Sequence, residues 1–136
     1  MAKIYRHVPA RPDDYIGRID RDTGRVYAER TGPDQYVGRI DYATGKVYGH
    51  KPGPDTYLGH VELANGRVMA ARVGPDAYVA RVEADGRVYR QVSLGKDIYL
   101  GQVRDMHHPV EGAAAYFFFL QVDAADDKLA PAAGTA

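Results

Sequence analysis

Side chains that could do chemistry recur along this chain at fixed intervals. Carboxylates stand at Asp20, Asp41, Glu62 and Glu83, each followed by a cation at Arg25, Lys46, Arg67 and Arg87. A second acidic column runs through Asp34, Asp55, Asp76 and Asp97. Glycoside hydrolysis needs two carboxylates in one cleft, and a uniform column singles out no pair. Cross-strand ion pairs explain the first column more simply. Oxygen ligands suit calcium, so the second column could ring a cation. Each of its members lies in a Gly-containing linker, however, where an Asp side chain bonds its own backbone, and turn capping is the better account. Adjacent His107 and His108 would point apart in a strand. His50 and His60 could approach one another but lack acidic or sulfur ligands beside them and read as exposed polar positions. Ser93 is the only serine, with nothing to mark it as a nucleophile. Catalysis needs an asymmetric constellation, which a near-perfect repeat rarely supplies. The expectation is a non-catalytic protein with no metal and no cofactor.

Binding by repetition is the stronger chemical option. Tyr27, Tyr48 and Tyr89, with Met69 in the third copy, accompany Arg18, Arg39 and Arg81. Aromatic faces with polar neighbours can hold a sugar ring or a cationic ligand several times over. The competing explanation is that these tyrosines pack between neighbouring elements.

The elements that must position these residues follow from the repeat. Tyr15, Tyr36, Tyr57, Tyr78 and Tyr99 recur every 21 residues, followed two positions on by Gly17, Gly38, Gly59, Ala80 and Gly101, and two further by Ile19, Ile40, Val61, Val82 and Val103. A period of two predicts a strand with the Tyr, Gly and Ile/Val columns inward as core and Arg18, Arg39 and Arg81 outward. Turn signals follow ("RDTG", "YATG", "LANG", "ADG"), then a second short strand such as "RVYAE". Gly24, Gly45, Gly66 and Gly86 occupy the place where a hairpin loop needs positive φ. The fourth copy is one residue shorter between Val82 and Gly86, which marks a hairpin tip, since a deletion within a strand would reverse its faces. Linkers such as "TGPDQ" read as turns.

Each end of the chain carries half a hairpin. "KIYRHV" matches a second strand, and "YLGQVRD" a first strand whose partner is missing. If Ile4 and Tyr5 pair with Leu100 to Val103, the chain closes into an all-β ring of five hairpins clasped by its two ends, leaving no exposed strand edge. Glycine in the inner column fits a crowded axis with little room for a Cβ.

At 136 residues, a single repeat domain over residues 1–122 is expected, with residues 123–136, poor in large apolar groups, as a disordered tail. Eighteen basic and eighteen acidic side chains cancel, which argues against nucleic acid as a partner. Cysteine is absent, which excludes a disulfide framework and thiolate metal sites; the N-terminus has no apolar signal core and no run is long enough to span a bilayer, so the expectation is a soluble, cytoplasmic protein. The stretch "GAAAYFFFL", residues 112–120, must still be buried, either as a plug in the ring or as an interface. Gly112 to Tyr116 suits a short helix and Phe117 to Val122 a strand. As an interface, Tyr116, Phe117, Phe118, Phe119 and Leu120 would join this chain to itself or to another protein.

The units "YIGRIDRDTGRVY" and "YVGRIDYATGKVY", with the small-plus-apolar run near the C-terminus, resemble the bacterial four-fold beta-flower domain family. In that family hairpins of the form V-G-R-V-D…G-x-V-Y surround an axis. The resemblance covers residues 3–120 and implies a flower-like fold and no catalytic residue. This chain differs in its G-P-D linkers and in having five hairpins by count. The Y-x-G…G pattern is more faintly similar to MORN repeats, which form open sheets that mediate interactions.

Overall fold

A computed structural model describes residues 2–51, 54–92 and 95–120. Pro52, Gly53, Ser93, Leu94 and the proposed tail from Asp123 lie outside the described residues. Ten strands form one closed antiparallel barrel: β1 (Ala2–Arg6), β2 (Asp14–Asp20), β3 (Arg25–Ala28), β4 (Gln35–Asp41), β5 (Lys46–Gly49), β6 (Thr56–Val61), β7 (Arg67–Ala70), β8 (Ala77–Val82), β9 (Arg87–Arg90) and β10 (Ile98–Arg104). Strands β2 to β9 make four hairpins. The fifth is the clasp, in which β1 pairs with β10 through Ile4↔Val103, Tyr5↔Gln102 and Arg6↔Gly101. Closure satisfies the backbone groups that a sheet edge would leave exposed.

Neighbouring hairpins are stitched by the same backbone bonds each time. The Gly24 carbonyl accepts from Ile40 N–H (2.8 Å), and Gly45, Gly66 and Gly86 accept from Val61, Val82 and Val103. Gly24 has φ +73°, and a Cβ there would lie 2.6 Å from the Ile40 carbonyl oxygen. Glycine at the tip therefore serves both the turn and the close approach of the next hairpin.

The inner face holds Ile4, Val26, Val47, Val68 and Val88 from the second strands, with the Gly/Ala and Ile/Val columns from the first, all buried. The tyrosine column is not among them, which corrects the inward assignment. Where β3 meets β4, Val26 opposes Gly38 but Tyr27 opposes Tyr36, so Val37 is an extra residue in a bulge. The same shift recurs at Ile16, Leu58, Val79 and Leu100, once per boundary between hairpins. A bulge reverses the alternation beyond it. Tyr15, Tyr36, Tyr57, Tyr78 and Tyr99 are thereby turned to the outer face and half buried, while the bulged aliphatics pack against the core.

An eight-stranded barrel is just wide enough for its own side chains to fill, so ten strands leave a wider lumen. The C-terminal segment fills it. Helix α1 (Pro109–Ala115) is followed by a π-helical turn, Tyr116–Leu120, and every residue from Val110 to Leu120 except Phe118 is buried. Residues 117–120 are therefore not a strand, and as placed this segment is the internal plug rather than an interface. The i→i+5 bonding of a π-helix widens the turn, bringing the angle between successive side chains nearer to one-fifth of a rotation. Successive phenylalanines accordingly meet successive hairpins: Phe119 lies over Gly17, Phe118 over Gly38 and Phe117 over Gly59. A Cβ on Gly17 or Gly59 would come within 2.6 or 2.5 Å of a Phe Cζ, and one on Gly38 would overlap Phe118 and the Tyr48 carbonyl. Gly17, Gly38 and Gly59 are thus the socket for the plug's rings, whereas Gly101 is crowded by the backbone of the clasp strand at Tyr5 and Arg6.

Candidate functional site

Two sets of residues stand out, one repeated and one not. The repeated set is an outer belt. Bulged pairing puts Tyr5 against Tyr15, Tyr27 against Tyr36, Tyr48 against Tyr57 and Tyr89 against Tyr99, with ring centroids 5.5–5.9 Å apart. The Arg18 guanidinium lies 4.3 Å from the Tyr27 centroid, Arg39 4.2 Å from Tyr48, and Arg81 4.5 Å from Tyr89. From the second strands, Arg25, Lys46 and Arg67 lie over Tyr36, Tyr57 and Tyr78 at 5.0–5.9 Å. All six residues of the expected binding set therefore do come together, as three Arg–Tyr stacks. The tyrosines also pack between adjacent hairpins.

The linker aspartates, expected as turn caps or ligands of a cation, anchor these stacks, and Asp97 also caps its own linker as expected, its Oδ1 accepting from the Val92 N–H at 3.3 Å. Asp34 accepts from Arg18 Nε (2.9 Å), Asp55 from Arg39 Nε (2.9 Å) and Asp97 from Arg81 Nε (3.1 Å), each reaching back from the following linker. In the third hairpin His60 replaces Arg. Its Nδ1 lies 3.1 Å from Asp76, which also accepts from the Tyr57 hydroxyl at 2.9 Å. Burial, then the hydrogen bond to Asp76, pushes the Tyr57 pKa up to about 12. The sixteen-residue spacing from Arg18 to Asp34, Arg39 to Asp55 and Arg81 to Asp97 was present in the sequence and was missed, because acids were matched only to cations within one hairpin. The strand-end acids do other work: Asp20 and Asp41 accept from the Asp22 and Ala43 N–H groups of their own turns. His50 is exposed, as expected, and also lies 3.8 Å from Asp55 and against the Tyr36 ring, whereas His60 is half buried. One shallow recess of about 210 Å³ opens on the belt, lined by Arg87, Tyr89 and Tyr99.

The unrepeated set is the barrel mouth at the hairpin tips, where the plug enters. Glu111, in the first turn of α1, is fully buried. Its Oε2 accepts from Arg21 Nε (2.9 Å) and the Tyr42 hydroxyl (2.6 Å), and its Oε1 from the His107 N–H (2.8 Å). Arg21 also donates to the Asp105 carbonyl. His108 caps the helix, its Nδ1 accepting from Val110 N–H at 3.0 Å, with its ring edge-on to Tyr42. Burial, reinforced by Glu111, raises the Tyr42 pKa. Burial disfavours the Arg21 charge, but the bonds to Glu111 outweigh this and its pKa rises. Both carboxylate oxygens of Glu111 are engaged, so the cluster's chemistry is that of a latch tying plug to wall. Sequence reasoning passed over Glu111; the signal was a lone acid opening an otherwise apolar run.

Among the described residues no group of three or more His, Asp or Glu side chains is placed to hold a metal ion, and no helix is long and apolar enough to cross a membrane. Compared with known proteins, the chain matches no family model, no curated protein and no solved structure.

Proposed function

We propose that this protein is a non-catalytic interaction module, a rigid ring that engages another protein through its outer tyrosine–cation belt. The observation that carries this reading is the repetition of ordered Tyr–Tyr pairs with a stacked, Asp-anchored Arg around the wall. Tyr and Arg are the residues that protein interfaces favour, and rings already held by neighbours lose little freedom on binding. In architecture we read the chain as a five-hairpin counterpart of the beta-flower domains it resembles, a likeness that brings no activity with it. Photo-crosslinkers placed at Tyr27, Tyr48 and Tyr89 in the full chain, expressed in cells, test the reading. Discrete protein adducts at these positions are expected, and their absence at all three would count against the belt.

A second reading, multivalent binding of a sugar or other small ligand, is favoured by the recess at Arg87, Tyr89 and Tyr99. A monosaccharide panel at millimolar concentration, read by the Tyr89 and Tyr99 ring resonances, would remove this reading if nothing moves.

A further inference from the structure

We propose that His60 and Met69, facing one another across the third hairpin, form a two-coordinate site for a soft monovalent metal ion of the copper(I) type. The place is where the belt departs from its repeat. Arg18 pairs with Tyr27, Arg39 with Tyr48 and Arg81 with Tyr89 at one register position of the other hairpins. In the third hairpin that position holds His60 opposite Met69, so both members of the pair have changed together. Replacing Arg alone does not call for this. Imidazole lies against tyrosine elsewhere on the same surface, His7 on Tyr99 at 4.8 Å and His50 on Tyr36 at 4.6 Å. What the double change brings together is an imidazole and a thioether, a ligand pair that suits copper(I).

The frame around His60 prepares it as a ligand. Arg18 is held by its Nε on Asp34 while the rest of its guanidinium lies over the cross-strand Tyr27. His60 is held in the same way, with Nδ1 3.1 Å from Asp76. An Nδ1–H donated to Asp76 puts the lone pair on Nε2, the atom left to meet Met69. A carboxylate on the far ring nitrogen is the usual second partner of a metal-bound histidine, fixing its tautomer and raising its basicity. His60 thus has beside it the acid and the sulfur that the sequence alone did not place there. Directly opposed residues of an antiparallel pair have Cβ atoms about 4.5–5.5 Å apart, near enough for both side chains to reach one ion. Charge and ligand number select that ion. Lys46 stands opposite His60 on β5, so the Asp76 carboxylate already faces one cation, and a monovalent ion adds less repulsion than a divalent one. Among the described residues no three His, Asp or Glu side chains gather as zinc would need. The site is independent of any protein that the belt engages.

Silver(I), added as the nitrate to the full chain in chloride-free buffer, is the redox-inert probe, with the Met69 methyl and His60 ring resonances as readout. Both are expected to move together and to saturate at one ion per chain, and copper(I), added anaerobically, should shift the same two residues. Met69→Leu and His60→Gln change outer-face positions and should leave the melting temperature unchanged. Each should weaken silver binding at least about tenfold, read on the partner that remains, and Asp76→Asn should weaken it about tenfold with both ligands still present. Zinc should bind at least about tenfold more weakly than silver. The proposal is overturned if the Met69 methyl moves without the His60 ring, if any of the three variants binds silver as tightly as the parent chain, if zinc binds as well, or if copper(I) shifts neither residue. Saturation at Met106 or at another histidine with His60 unmoved would mean adventitious binding and equally overturn it.

Discussion

The wall of the barrel and its plug obey opposite rules. The wall is one 21-residue unit written repeatedly, and its backbone stitches, bulges and Arg–Tyr–Asp stacks recur with it. The plug is written once, yet its successive phenylalanines face successive copies of the unit. A symmetric wall cannot choose a rotation for what it encloses, so single-copy residues must do so. Glu111 does this at the mouth by bonding Arg21 and Tyr42, which stand at the tips of the first two hairpins. Repetition thus provides a nearly uniform outer surface, broken by His60 and Met69 in the third hairpin, while the residues that fix the plug's rotation stand where plug meets wall.

The sharpest way to break this comparison is to remove the plug. Ending the chain at Asp105 deletes Val110, Phe117, Phe119 and Leu120, each contributing roughly 1.5–3 kcal/mol by burial, together comparable with the whole stability of a domain of this size. Loss of the cooperative thermal transition is expected, and a truncated chain that melts normally would show that the wall stands alone. Gly38→Val comes next. It drives a branched side chain into Phe118 and the Tyr48 carbonyl and should cost about 3 kcal/mol or more in a urea titration. An unchanged midpoint would refute the socket.

Smaller effects test the latch. Glu111→Gln leaves the partly exposed Arg21 without its carboxylate and should cost about 2–3 kcal/mol, Tyr42→Phe about 1.5 kcal/mol, with clear non-additivity in the double variant. Additive values would mean that the two do not act through Glu111. Alkaline pH sharpens the contrast at the belt. Tyr57 has its pKa raised from 10.0 to about 12, so its contribution is whole below the unfolded value and is lost as pH climbs through about 12. Tyrosinate absorbance should show a late-ionising group that disappears in Tyr57→Phe, and an identical titration in that variant would contradict the Asp76 bond. Least of all, Arg39→Ala should cost under about 1 kcal/mol, because its ion pair with Asp55 and its stack on Tyr48 lie at the surface. A much larger loss would make the belt structural rather than a presented surface.

Periodicity alone determined a good deal about this protein: the hairpins, the turn glycines, the half-hairpins at each end and hence a closed ring. These follow from local chemistry, since φ preference and alternation act within a few residues, and the two half-units had only each other to pair with. The crowding at the glycine column was also legible, though not its sources, which are the plug's phenylalanine rings at Gly17, Gly38 and Gly59 together with the carbonyls of the facing strands. What tertiary structure decided was the face each tyrosine takes. Alternation read through Tyr36, Gly38 and Ile40 puts all three on one side, but the extra residue Val37 resets the phase. An aliphatic at 16, 37, 58, 79 and 100, where an outward residue was expected, was the trace that bulge left in the sequence. The fate of residues 112–120 also rested with the tertiary structure. An apolar run states that it must be buried and not where, and only the width of a ten-stranded lumen placed it inside.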